Sequence, residues 1–154
     1  MYPVKTISQK VILFTILICI VTISIIGQSQ NTSKNYTTFS TQDSKLSESI
    51  SRGSEIYSEF CMQCHLPDGK GTPNVFPPLA GSDWLTNKRK ESIHSIKFGL
   101  NGLIKVNGKT YDGTMTSLGL ENEEIADVMN YIMNSWGNTQ KEIVTPEEVF
   151  SVNK

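Results

Sequence analysis

Two cysteines and a histidine stand within the short segment Cys61-Met62-Gln63-Cys64-His65. Two thiols separated by a two-residue spacer can each add across one vinyl group of the same porphyrin. The imidazole that directly follows the second thiol is then held beside the porphyrin iron, where it can serve as an axial ligand. The motif therefore predicts that one haem c is attached covalently through Cys61 and Cys64 and that His65 ligates its iron.

Two other kinds of site use a pair of cysteines at this spacing. A redox-active CxxC pair normally accompanies a βαβ pattern, and the sequence shows no such pattern. A structural zinc ion needs four ligands, yet Cys19 and His94 are the only cysteine and histidine outside the motif. Cys19 lies in an apolar leader, and His94 lies among lysines and an arginine, where we interpret it as a partly exposed helix residue. Haem attachment is therefore the favoured interpretation.

The start of the chain has the order of charge and hydrophobicity that is typical of an export signal. Lys5 and Lys10 precede an apolar run over residues 11–26. The run is 16 residues long, shorter than the ~20 residues that span a bilayer comfortably. We expect residues 1–29 to be either a signal peptide, cut after Ser29, or an N-terminal membrane anchor.

A polar segment separates this leader from the rest of the chain. Residues 30–45 are rich in Ser, Thr, Asn and Gln and poor in apolar side chains. A segment of this composition buries too little surface to offset its ordering entropy, so we predict a flexible linker. A folded domain is predicted over residues 46–138, followed by a tail over residues 139–154. Within the tail, Thr145-Pro146 is typical of the start of a short helix.

Hydrophobic periodicity predicts a mainly α domain. Apolar residues recurring at three- and four-residue steps indicate helices over residues 47–60, 88–98 and 122–136. Gly53 inside the first helix costs about 1 kcal/mol relative to alanine, and close approach of another helix would explain it. Asn107-Gly108 is a favoured two-residue turn, so we expect a small hairpin around it.

A proline-rich loop follows the cysteine motif, and Pro77 lies twelve residues after His65. A ligating histidine usually donates its second ring N–H to a carboxylate or a backbone carbonyl, which orients the ring. The loop either supplies that carbonyl from Pro77 or is an ordinary packed loop. The residues alone leave these two alternatives open.

The chain contains five methionines, and the thioether of methionine can ligate haem iron. Met1 initiates the chain, and Met62 is confined between the two cysteines. Met129 and Met133 fall on the apolar stripe of the last long helix, which indicates a role in the core. Met115 alone lies in a predicted loop, flanked by glycines. We therefore predict that Met115 is the second axial ligand, on the face opposite the histidine.

Residues 46–138 resemble a class I mono-haem cytochrome c, in particular the haem domains associated with copper nitrite reductases, oxidases and periplasmic dehydrogenases. The resemblance depends on these features together: Gly53-x-x-x-Tyr57, Cys61-x-x-Cys64-His65, Pro77-x-Leu79, the loop Met115, and a last helix with Tyr131 and Trp136. It implies three to four helices around a covalent haem with a small hairpin. It also implies that the proline carbonyl binds the axial histidine and that the glycine meets Tyr131 where two helices cross. Many members have proline directly after the ligand methionine, whereas this chain has Thr116.

The resemblance implies an electron carrier rather than an enzyme. Its partners would be separate redox proteins in the periplasm, which it would reach as an exported protein or through a membrane tether over residues 11–26. The alternative is a haem c subunit dedicated to one oxidoreductase complex. A catalytic haem protein needs an open iron site, and a methionine ligand argues against that. The formal net charge of −1 gives no indication of nucleic-acid binding.

Overall fold

The computed structural model describes the backbone of residues 33–154 and the side chains from residue 41 onward. The described part is mainly helical with one small antiparallel hairpin, which confirms the predicted fold class. The predictions for residues 1–29, including Cys19, lie outside the described residues. Within the described range, no helix is long and apolar enough to cross a membrane. In chain order the elements are α1 (Ser33–Ile56), a π-helical turn (Tyr57–Cys61), α2 (Met62–His65), α3 (Asp83–Asn87), α4 (Arg89–Phe98), β1 (Leu100–Val106), β2 (Lys109–Met115), α5 (Asn122–Ile132) and α6 (Pro146–Ser151).

Helix α1 starts earlier than its hydrophobic pattern predicts. It begins at Ser33, so the structure has helix through most of the segment that was predicted as a flexible linker over residues 30–45. Most residues of this segment are polar, but none of them from Ser33 to Lys45 is proline or glycine. Proline and glycine are the residues that most strongly disfavour a helix, and the polar residues of this segment disfavour it less. The composition alone therefore does not prevent a helix from extending through the segment.

Helices α1 and α5 cross at Gly53 without room for a side chain. A Cβ atom at this position would collide with the backbone carbonyl of Asp127 and lie 2.8 Å from the Cβ of Tyr131. This confirms that close approach of a second helix explains the glycine. Beside the crossing, Arg52 donates to both carboxylate oxygens of Asp127, at 2.6 and 2.8 Å, and the Ser49 hydroxyl donates at 2.6 Å.

Helix α5 supplies the centre of the core. Its first turn has a capping box, in which the side chains of Glu121 and Glu124 each bond to the other's backbone N–H. It ends at Ile132, four residues before the predicted end, and Trp136 beyond it has φ 54°. Met129 and Met133 are almost fully buried at 0% and 1% exposure, as their positions on the apolar stripe predicted.

The hairpin is longer than the sequence suggests. Strands β1 and β2 pair in antiparallel register from Val106↔Lys109, beside the Asn107-Gly108 turn, to Leu100↔Met115. Gly102 stands opposite Gly113 in this register, and two facing glycines weaken the alternation that would reveal a strand. Met115 is therefore the last residue of β2, where the sequence predicted a loop.

The tail forms part of the same compact unit as the predicted domain, since that unit covers Asp43–Lys154. The predicted short helix is present as α6, with the Thr145 hydroxyl capping its N-terminus and Pro146 in its first turn. Val149 of this helix is 0% exposed, and Val152, directly after the helix, is 2% exposed. The domain therefore continues beyond the predicted boundary at residue 138, because α6 closes a side of the core that α4 and α5 leave uncovered.

Candidate functional site

The cysteine motif begins where α1 widens into a π-helical turn, a feature often found at functional sites. Cys61 ends that turn, and Cys64 lies on the short helix α2. Both are half-buried free thiols. The helix stops at Leu66, whose φ of 65° is unfavourable for a residue with a side chain. The Tyr57 hydroxyl donates to the Leu66 carbonyl at 2.6 Å and so helps to hold this turn directly after His65.

Three aromatic rings pack behind the motif. The Tyr57 ring centroid lies 5.3 Å from that of Tyr131 and 5.0 Å from that of Trp136. The Trp136 indole N–H donates to the Pro67 carbonyl at 3.0 Å, and a Cβ on Gly69 would collide with the indole ring. The rings therefore anchor the loop that leaves the motif. The sequence singled out Tyr57, Tyr131 and Trp136 separately, but only the fold shows that they meet.

The ring of His65 is fixed by the hydrogen bond that the resemblance implied. Its Nδ1 lies 3.0 Å from the carbonyl oxygen of Pro77. A carbonyl only accepts, so Nδ1 carries the hydrogen and Nε2 presents a lone pair. Burial lowers the pKa of His65, and the bond to Pro77 opposes that shift only in part. The ring is therefore a neutral imidazole of defined tautomer, the state in which histidine ligates a metal.

The two thiols do not resemble a redox-active pair. Burial raises the pKa of the Cys61 thiol to about 11, and the neighbouring Cys64 adds to the rise. Redox-active CxxC pairs depend on a lowered thiol pKa, because the thiolate is the reactive form. Within residues 33–154, no cluster of His, Cys, Asp and Glu could hold a metal ion. The described residues therefore favour neither of the two alternatives to haem attachment.

Two adjoining open clefts of about 640 and 880 Å³ lie next to the motif. The walls they share bring the candidate ligands together, since His65 and Met115 line both clefts. Cys61 and Pro77 also line both, whereas Cys64 lines one of them. His94 lines neither cleft and instead packs its ring 5.1 Å from that of Phe98. All five predicted site residues therefore line one or both of these adjoining clefts.

The walls of these clefts suit a large, flat and mainly apolar cofactor. Helix α5 contributes Val128, Met129 and Ile132, α4 contributes Ile96, and the hairpin contributes Ile104. A haem needs apolar walls along its macrocycle, nitrogen or sulfur donors for its iron, and thiols for covalent attachment. The described residues supply each of these, so they fit a covalently bound haem.

Two lining residues were missed by sequence reasoning. Ser82 and Trp84 both line the smaller of the two clefts, and neither side chain makes a hydrogen bond to any described residue. The ammonium group of Lys88 lies 4.3 Å from the centroid of the Trp84 ring. Such donors and a nearby cation suit the carboxylates of the haem propionates. A serine and a tryptophan directly after a proline-rich loop were the available signal.

Comparison with known proteins also indicates a protein with covalently bound haem. A family model described as cytochrome c matches residues 50–136. The sequence is 42% identical over 94 residues to cytochrome c-552 from Thermus thermophilus, an alignment that covers 58% of this chain and 71% of that protein.

Larger dehydrogenase subunits also match. The cytochrome c subunit of a quinone alcohol dehydrogenase from Gluconacetobacter polyoxogenes is 33% identical over 99 residues, which cover 63% of this chain and 21% of that subunit. The cytochrome c subunit of gluconate 2-dehydrogenase from Pantoea cypripedii is 31% identical over 127 residues, which cover 74% of this chain and 28% of that subunit. The chain spans less than a third of either subunit. Because the family model matches more than half of its residues, the chain belongs to the cytochrome c family, whose cofactor is covalently bound haem c.

Proposed function

We propose that this protein transfers one electron at a time on a haem that is attached through Cys61 and Cys64 and ligated by His65 and Met115. The observation that carries the proposal is the neutral His65 ring, held by Pro77 in a cleft that Met115 also lines. When bound, the haem supplies the one-electron chemistry at its iron. The chain attaches and orients the cofactor and surrounds it with apolar side chains.

Each of these residues has a separate part in the proposal. The two thioether bonds keep the haem on the chain in every oxidation state. The Pro77 carbonyl strengthens electron donation by His65, because a hydrogen-bonded imidazole is a better ligand. A thioether stabilises ferrous iron better than a second imidazole does, so Met115 raises the potential.

The electron donor and acceptor are proposed to be separate periplasmic proteins. Support comes from the match to cytochrome c-552, which covers most of that protein's length. The alternative is a subunit that serves one dehydrogenase, which the matches to two dehydrogenase cytochrome subunits favour. Purification from native membranes and periplasm distinguishes them, since a dedicated subunit would copurify stoichiometrically with a catalytic chain.

The ligand assignment is tested by absorption spectra and potentiometric titration of the holoprotein. Met115→Ala should remove the iron–sulfur charge-transfer absorption of the ferric form, lower the potential and allow carbon monoxide to bind the ferrous form. Met133→Leu is the matched control, because Met133 is buried and lines neither cleft, and the swap nearly conserves volume and should leave the spectrum unchanged. Loss of low-spin ligation in His94→Ala, but not in Met115→Ala, would overturn the assignment.

A further inference from the structure

The segment that follows Met115 lies against the end of helix α4. The Ser117 hydroxyl donates to the backbone carbonyl of Lys97 at 2.8 Å. Next to it, a Cβ on Gly99 would come within 2.7 Å of the Met115 carbonyl oxygen and 3.1 Å of the Ser117 nitrogen. Residues 97–99 and 115–117 therefore pack backbone against backbone. The residue between Met115 and Ser117 is Thr116, so no proline ring stiffens this segment.

The side chain of Lys97 points to a different part of the molecule, the C-terminal end of α6. Its Nζ atom donates to the carbonyls of Val149 at 2.7 Å and Val152 at 3.1 Å, with that of Phe150 at 3.4 Å. Carbonyls at the end of a helix lack partners within the helix, and a cation there is favoured by the helix dipole. Lys97 thus joins the tail to the segment after Met115, through its side chain on one side and its own carbonyl on the other.

The tail is itself firmly held, so it can act as an anchor. Arg89 makes two hydrogen bonds of 2.7 Å to the carboxylate of Glu148. It also donates to the carbonyls of Glu142 and Ile143. The Asn130 side chain of α5 bonds to both the N–H and the carbonyl of Val144. These contacts involve residues that lie beyond the family match, which ends at residue 136.

We propose that Lys97 is a positioning residue for Met115, through which the C-terminal tail limits how readily this thioether leaves the iron. The proposal rests on the proposed function, because it takes Met115 as the axial ligand. Lys97 acts on Met115 through Ser117, so it need not touch the haem. No proline stiffens the segment after Met115. The tail would instead restrain this segment by fixing the end of helix α4, to which Ser117 is hydrogen-bonded.

The test measures displacement of the methionine from the ferric holoprotein by imidazole, followed as loss of the iron–sulfur absorption. Ser117→Ala removes one hydrogen bond and should speed displacement about two- to tenfold. Lys97→Met removes bonds from a cation to several carbonyls and should speed it by about tenfold or more. Ser117→Thr keeps the hydroxyl and should restore the original rate.

Two control variants separate positioning from general loosening. Lys90→Met removes an exposed lysine from the same helix, and Ser54→Ala removes a hydroxyl that bonds only within α1. Both should leave the displacement rate unchanged. Equal rates in Lys97→Met, Ser117→Ala and the unmodified protein would overturn the proposal, as would an equal acceleration in Lys90→Met. If the unmodified protein lacks the iron–sulfur absorption, the ligand assignment fails first and the proposal falls with it.

Discussion

The two walls of the cleft hold their candidate ligands in different ways. On the His65 wall, residues 53–77, glycine occurs where other groups leave no room, since a Cβ on Gly53 would strike helix α5 and one on Gly71 would strike the backbone at Phe76 and Pro77. The Met115 wall consists of the hairpin and residues 116–117. A Cβ at Gly102 on this wall would have no heavy atom within 4 Å. A Cβ at Gly113 would meet only the carbonyl oxygen of Val75, at 4.0 Å.

This difference shows where each ligand gets its orientation. His65 is fixed close to its own position in the chain, by the covalent motif, by the Leu66 turn and by Pro77 twelve residues away. Met115 sits at the end of a two-stranded hairpin, and the segment after it is held by a hydrogen bond to a different helix. Substitutions on the His65 wall should therefore cost stability, whereas those on the Met115 wall should change ligand exchange more than stability.

The largest effect is expected from removing the covalent attachment on the His65 wall. The unmodified protein should keep its haem on the polypeptide during extraction with an acid–organic solvent, whereas a variant with both Cys61 and Cys64 changed to Ala should not retain haem. Without haem the apolar clefts would be open to water, and a domain of this size is often only marginally stable. We expect a poorly ordered, protease-sensitive product. A stable variant that unfolds cooperatively without haem would contradict this expectation.

A smaller effect should separate the glycines of the two walls. Gly53→Ala places a methyl group against a backbone carbonyl that cannot move alone, and should lower the free energy of unfolding by about 2 kcal/mol or more. Gly113→Ala meets only ordinary contact distances and should change it by less than about 0.5 kcal/mol. Denaturant titration of the two holoproteins measures both values. Equal losses in the two variants would remove the distinction between the walls.

The smallest effect concerns two buried tyrosines, one on each wall. Tyr57→Phe removes the hydrogen bond to the Leu66 carbonyl and should cost about 1 kcal/mol of stability. Tyr111, in the hairpin, is 6% exposed, and its hydroxyl bonds to no described residue. Tyr111→Phe should therefore cost less than Tyr57→Phe in thermal or denaturant unfolding. A larger loss in Tyr111→Phe would show that the hairpin hydroxyl has a partner in the holoprotein.

Much of the His65 wall and of helix α5 could be predicted because the information for both is local. A five-residue motif specifies the attachment chemistry, and the apolar period of α5 places Met129 and Met133 in the core rather than at the iron. The hydrogen bond from His65 to Pro77 is present as the resemblance implied. Residue spacing alone could not choose between a ligand-orienting loop and an ordinary one, because a carbonyl has no side-chain signal.

The amino-acid sequence by itself determined the cofactor chemistry, the mainly α class and the turn of the hairpin. These follow from covalent spacing, from a 3.6-residue period and from one Asn-Gly pair. Only the tertiary structure decided that Met115 ends a strand, that the tail completes the core and that Lys97 connects the two. Each of these depends on backbone groups distant in sequence, and backbone carbonyls and N–H groups are the same at almost every residue. Their partners are chosen by packing, which no local pattern of side chains records.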